Sequence, residues 1–207
     1  MGKGGHGGCG GGAHSHSVEY PDDSWNLYQH IATAEALNCA TNDALPVFRP
    51  FVRRLEAPGP LLRSDGDEEV LVKVTFRAPV SVRRIMVVGG GDAEGHPVRV
   101  KVYVGREDVD FQSLEETTPT MTTSLPVNPT GEAYVATHPP HAFTNISAIA
   151  FFFDKNSGDI EETVLQYIGM QGEHTHDKRE PVNATYELVC QGHGTQTEAG
   201  FQMPEGM

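Results

Sequence analysis

Glu69-Val70-Leu71-Val72-Lys73-Val74-Thr75-Phe76-Arg77-Ala78-Pro79-Val80 opens the stretch that decides the fold, and Val98-Arg99-Val100-Lys101-Val102-Tyr103-Val104-Gly105 closes it. Val70, Val72, Val74 and Phe76 alternate with Lys73, Thr75 and Arg77, and four valines alternate with Arg99, Lys101 and Tyr103. Alternation over so many positions fits a period of two, that of strands with one face in a core and one in water. The β-branched residues suit a pleated, half-buried surface better than a helix. Residues 80–89 continue the apolar run, with Arg83 and Arg84 interrupting its alternation. Two breaks are expected, at Ala78-Pro79 and at the glycine-rich run from Gly89 to His96-Pro97. Burying the valines of the last strand contributes about 1.5–3 kcal/mol each, so this stretch is expected to nucleate the core.

Downstream, residues 106–127 are polar and lack a period, which predicts a long excursion with an edge strand at most. Asn128-Pro129-Thr130-Gly131 reads as a turn, and residues 132–136 as a short strand. Residues 143–153, with Ile146, Ile149, Ala150 and three consecutive phenylalanines, predict a strand buried on both faces. Asp154-Lys155-Asn156-Ser157-Gly158 signals a turn. A last core strand follows over residues 164–172, Val164, Ile168 and Met170 facing one way and Leu165 and Tyr167 the other. Upstream, Trp25, Leu27, Tyr28 and Ile31 form a short apolar element, and Thr33-Ala34-Glu35-Ala36-Leu37 reads as one or two helical turns. Pro46, Pro50, Pro58 and Pro60 predict an extended run across the surface, joining this cap to the core.

A chain of 207 residues with a formal net charge of −13 accommodates one core. The acidic balance argues against a nucleic-acid partner, because neutralising phosphates needs clustered Lys and Arg. Cys9, Cys39 and Cys190 are an odd number without a C-x-x-C pair, which predicts a reducing compartment, cytosol or nucleus. No apolar run approaches the ~20 residues of a membrane span, and no signal peptide is expected. Gly2 lacks the Ser or Thr that a myristoylation site wants, since His6 stands there, and the sequons at Asn145 and Asn183 read as chance. Three segments are expected: a Gly/His/Cys-rich tail over 1–23, a β-sandwich domain over 24–190 and a second tail over 191–207.

Several motifs together resemble the PITH domain: Leu37-Asn38-Cys39, Ser64-Asp65-Gly66-Asp67-Glu68-Glu69, His96-Pro97, Asp110-Phe111, Phe143-Thr144-Asn145-Ile146 and Tyr167-Ile168-Gly169-Met170-Gln171-Gly172. The resemblance covers about residues 25–188 and is to the stand-alone type, since no thioredoxin half precedes it. It implies an all-β, jelly-roll β-sandwich of the galactose-binding-like kind, here with a short helical or extended N-terminal cap. It also implies a docking partner, the proteasome regulatory particle.

Candidate chemistry is sparse. Asp65, Asp67, Glu68 and Glu69 offer the hard oxygens that calcium takes, yet they lack an EF-hand's later Gly and closing Glu and read as a solvated lead-in. His174 and His176, beside Glu173 and Asp177, lack a third ligand on a rigid element and read as an exposed loop. His6, Cys9, His14 and His16 are spaced by glycine, which makes a floppy metal site at most. Cys39 reads as a buried, inert thiol. No nucleophile, phosphate-loop or zinc-protease motif is present, so no catalytic residue, cofactor or metal is expected. The expected function is a non-catalytic protein-interaction module docking on a large assembly as a structural subunit. The alternative is a small-ligand or glycan-binding jelly roll, for which Tyr103, Tyr134 and His138 to His141 offer a stacking and hydrogen-bonding platform. Residues 1–17 are too glycine-rich to order alone and are expected to act as an anchoring peptide that folds on a partner.

Overall fold

The computed structural model of the chain describes residues 26–57, 59 and 61–174. Outside these lie the expected anchoring peptide, both tails, Trp25, Pro58, Pro60, His176, Asp177 and the segment 186–190 with Cys190. A single 3-10 turn, Leu27–His30, leads into strand β1 (Ile31–Leu37). Then come β2 (Leu62–Arg63), β3 (Val70–Gly89), β4 (Pro97–Val104), helix α1 (Phe111–Glu116), β5 (Met121–Ser124), β6 (Val135–Ala136), β7 (Ile146–Asn156) and β8 (Val164–His174).

Strand β3 organises the rest. It is a single strand of 20 residues that runs straight through Ala78-Pro79, where a break was expected. Its first half pairs with β1 on one side and β7 on the other, its second half with β6 and β8, all antiparallel. Val80 partners both Ile146 and His174, so the exchange of partners falls next to Pro79. Proline removes one ladder donor, which a strand tolerates where its pairing changes. The result is two sheets sharing β3, one in the order β1-β3-β7-β4-β5 and the other β6-β3-β8-β2.

The main core fills the space between the sheets. Val70, Val72, Val74, Val100, Val102, Phe151 and Phe153 from the first sheet meet Ile85, Val87, Leu165, Ile168 and Met170 from the second. The outer faces are covered as well. Phe111 and Leu114 of α1, with Val109, pack on Leu71, Tyr103, Ala150 and Phe152. Phe51 and Tyr134 pack on Met86, Val88 and Tyr167. Covering both faces explains why β7 is apolar at nearly every position, as its sequence predicts. Within β4, Val100 and Val102 are fully buried, whereas Val98 and Val104 are only half-buried.

Arg83 and Arg84 are both exposed because β3 bulges between them: Val82 pairs with Gly172 and Arg84 with Gln171. An extra residue on one strand turns two consecutive side chains outward.

Other expectations are corrected. Thr33-Ala34-Glu35-Ala36-Leu37 is strand, not helix: it pairs residue by residue with β3, with Ala34 and Ala36 buried. So short a helix is marginal in water, whereas the open edge of β3 satisfies every second backbone group. The proline-rich segment does not simply cross the surface. It forms 3-10 turns at Leu45–Val47 and Phe51–Arg53, and Val47, Phe48 and Phe51 are buried. The excursion after β4 contains α1 besides the expected edge strand β5. The short strand expected over 132–136 is only Val135–Ala136. β7 continues through Asp154 to Asn156, so its turn comes later than the sequence suggests. Leu165 shares the inner face with Ile168 and Met170, because the register shifts between Leu165 and Tyr167.

Candidate functional site

The outer face of the first sheet carries a recess lined from both the sheet and the helix that covers it. The motif Asp110-Phe111 starts α1: Asp110 Oδ1 accepts from Ser113 N at 2.7 Å and Ser113 Oγ accepts from Asp110 N at 2.9 Å, a reciprocal cap. This fixes the chain's entry so that Phe111 meets Phe152 edge-on, ring centres 5.9 Å apart. Between α1 and the sheet lies a groove of about 280 Å³. Tyr103 and Phe152 line it from the sheet and Phe111 and Leu114 from the helix, with Glu69, Lys101 and Glu115 as its charged groups.

One edge of this face is set by a buried carboxylate. Asp154 takes two hydrogen bonds from Arg99 (2.7 and 2.6 Å) and an ion pair from Lys101 Nζ at 2.8 Å. Burial alone raises the Asp154 carboxyl, but the hydrogen bonds and charges of Arg99 and Lys101 outweigh it and hold it below the usual range. The Lys101 ammonium lies 5.2 Å from the Phe152 ring centre, adding a cation–π contact. Glu69 behaves oppositely: partial burial pushes its carboxyl up, with Asp67, Asp154 and Glu68 adding to the rise and Lys101 opposing it.

Two of the motifs quoted from the sequence meet beside the groove. Asn38 adopts φ 57°, a left-handed conformation that asparagine tolerates, and its amide donates to Asp67 Oδ1 and to the Glu69 carbonyl, each at 2.6 Å. Asp67 also accepts from Glu69 N at 2.9 Å, and Gly66 supplies φ 108° at the bend. The acidic run is therefore a clamped lead-in to β3. Among the described residues, no three His, Cys, Asp or Glu side chains gather as a metal would need.

Cys39 packs half-buried against the core, and its thiol is pushed up to about 11 by desolvation and by Asp65. This favours the protonated thiol, and the residue is half-buried where the sequence suggests full burial. His174 ends β8 and stacks on His30 at 4.1 Å, so it belongs to a packed strand end instead of an exposed loop. The stacking platform expected for a glycan does not assemble. Tyr103 is buried on the outer face of the first sheet, Tyr134 packs on the outer face of the second, and His138 and His141 are exposed on the loop before β7. The sequence reading missed the groove itself. Its available signal was Asp110-x-x-Ser113 followed by Leu114, a cap preceding an apolar residue.

At another end of the sandwich, the His96 ring lies where a side chain on Gly89 would stand. His96 is 5% exposed and its Nδ1 is buried without a partner, so desolvation lowers its pKa. Asn156 ties down the neighbouring turn, donating to the Ile160 carbonyl at 2.6 Å and accepting from Ile160 N at 3.0 Å.

The PITH domain family model matches residues 17–189, most of the chain. The chain belongs to the PITH domain family. A PITH domain-containing protein 1 from Homo sapiens is 30% identical, the match covering 77% of this chain and 74% of that one. One from Dictyostelium discoideum is 28% identical, covering 86% of this chain and 88% of its relative. Among solved structures, the family 32 CBM of NanJ from C. perfringens, solved in complex with galactose, has a TM-score of 0.50. At 10% identity it covers 70% of this chain and 96% of its own, a likeness of fold alone. The PITH domain here is a galactose-binding-like jelly-roll sandwich, as the motifs imply.

Proposed function

We propose that this PITH domain is a non-catalytic interaction module that docks on a large protein assembly in the cytosol or nucleus. The proteasome regulatory particle is the assembly that the family resemblance implies. The supporting observation is that a core closed on both faces still leaves large apolar side chains in water on one segment: Val52 is 80% exposed, Leu45 43% and Leu55 42%. Folding gains nothing from such exposure, and large apolar side chains left on a surface suit contact with another protein. The acidic net charge of −13 disfavours nucleic acid as the partner. Crosslinking and mass spectrometry on the tagged chain in native extract tests this, at low and at physiological salt. The expected result is regulatory-particle subunits crosslinked to the chain, lost in a V52D/L55D variant of unchanged Tm. Recovery of no proteasome subunit at either salt removes that partner.

A second reading is a small polar ligand in the groove beneath α1, favoured by a lining that sets aromatic side chains beside charged groups. A glycan array with and without calcium tests it, and signal at background rejects the sugar form.

A further inference from the structure

The groove beneath α1 has a chemical bias. Its walls are rings and an aliphatic side chain: Tyr103, Phe152, Phe111 and Leu114. Of its three charged groups, Lys101 shares the Asp154 carboxylate with Arg99, its ammonium 2.8 Å from Oδ2. Glu69 and Glu115 have no ion-pair partner among the described residues. Asp154 answers Arg99 and Lys101 together, a surplus of one positive charge, while Glu69 and Glu115 bring two negative ones and Asp67 and Glu68 stand beside Glu69. The balance around the recess is negative. The Glu69 carboxyl is raised by burial first, and the neighbouring carboxylates add to that rise.

Carboxylates at the mouth of an aromatic recess complement a cation carried on an apolar stem. The stem packs on the rings, and the charged head meets the carboxylates and the negative ring faces. Lys101 shows that arrangement within the chain itself, its ammonium over Phe152 and its charge on Asp154. At about 280 Å³ the groove admits one long side chain, not a folded element.

We infer that the groove between α1 and the first sheet receives the lysine or arginine side chain of an extended segment of a protein partner. This rests on the docking role proposed above and names the chemistry of one contact within it.

The test uses the full-length, isotope-labelled chain and simple probes followed by NMR. n-Butylammonium and n-propylguanidinium stand for the two side chains, 1-butanol for the stem without charge, and methyl β-galactoside for a neutral sugar. The cations are expected to shift the Lys101, Tyr103, Leu114 and Phe152 amides saturably. Their affinity is expected to fall about three- to tenfold in each of E69Q and E115Q. Glu115 is exposed on its helix, so E115Q keeps the fold and its dispersed spectrum verifies that. Absence of saturable shifts, unchanged affinity in both variants, or equal binding of butanol or the sugar overturns the inference. These outcomes are separate from the assembly experiment: a wild-type chain that captures no assembly defeats the docking role whatever the probes do, and probes that fail to saturate defeat the groove even where capture succeeds.

Discussion

Arg99 grips Asp154 through two parallel hydrogen bonds, Nε to Oδ1 at 2.7 Å and Nη2 to Oδ2 at 2.6 Å, across the β4–β7 pairing. Lys101 occupies the same carboxylate, whose side chain is only 6% exposed, while the Arg99 and Lys101 side chains are 36% and 32% exposed. Removing the shared anion strands two cations, whereas removing one cation leaves the other in place. Discounted for the exposure of both bases, D154N is expected to destabilise by about 1–3 kcal/mol and R99M by about half that. The pH dependence has a definite sign. The Asp154 carboxyl is held below its ordinary value in the folded chain, so its stabilisation is complete above the unfolded value near 4 and is lost as pH falls through the folded one. Urea unfolding at pH 7 and pH 3 checks this: D154N should lose less stability on acidification than the wild type, and equal losses reject the assignment.

Gly172 stands opposite Val82 beside the bulge of β3, and a Cβ there would collide with the Ser81 carbonyl oxygen. That atom is backbone inside a paired strand, so relief requires the two strands to separate. G172A is expected to cost about 1–3 kcal/mol, the range for overpacking a filled interior. A Tm within a degree of wild type would show that the strands give way more easily than this contact implies.

The parts of this fold legible in the sequence were those set by side-chain period. The alternation of Val70 to Phe76 and of the β4 valines, and the unbroken apolar run of β7, each follow from which faces are buried. What stayed hidden depends on partners distant in sequence. Ala34 and Ala36 carry helix propensity, and only the free edge of β3 makes them strand. Pro79 looks like a terminator until β3 is seen to change partners there. The groove was hidden for the same reason. Arg99 and Lys101 alternate like a solvent face, and nothing local to β4 says that Asp154 lies beneath them or that α1 closes over Phe152.

Cys39 offers a chemical check on burial. Its thiol is pushed up to about 11 by desolvation and by the nearby Asp65, from an ordinary value of 9.0. Two units leave about a hundredfold less thiolate at neutral pH, and the thiolate is the species that alkylates. In a C9S/C190S background, iodoacetamide at pH 7.4 is expected to modify Cys39 at least about a hundredfold more slowly than the urea-unfolded chain. Equal rates would mean that the segment around Cys39 opens freely.

His96 makes the stability of the sandwich sensitive to mild acid. Its ring occupies the space above Gly89, its residue is 5% exposed, and its Nδ1 is buried with no hydrogen-bond partner. Desolvation therefore lowers its pKa from 6.5, favouring the neutral imidazole in the folded chain. The unfolded chain then binds more protons below about pH 6.5, so this contribution is complete above that pH and is lost as pH falls through the folded value. Replacing the imidazole by a ring that cannot be protonated keeps the packing on Gly89 and removes the titration. Thermal unfolding between pH 7.5 and pH 5 should therefore show a shallower fall in Tm for H96F than for the wild type, with the other histidines common to both. Superimposable profiles would show that His96 gains a proton as easily in the folded chain as in the unfolded one, and that its burial carries no pH dependence.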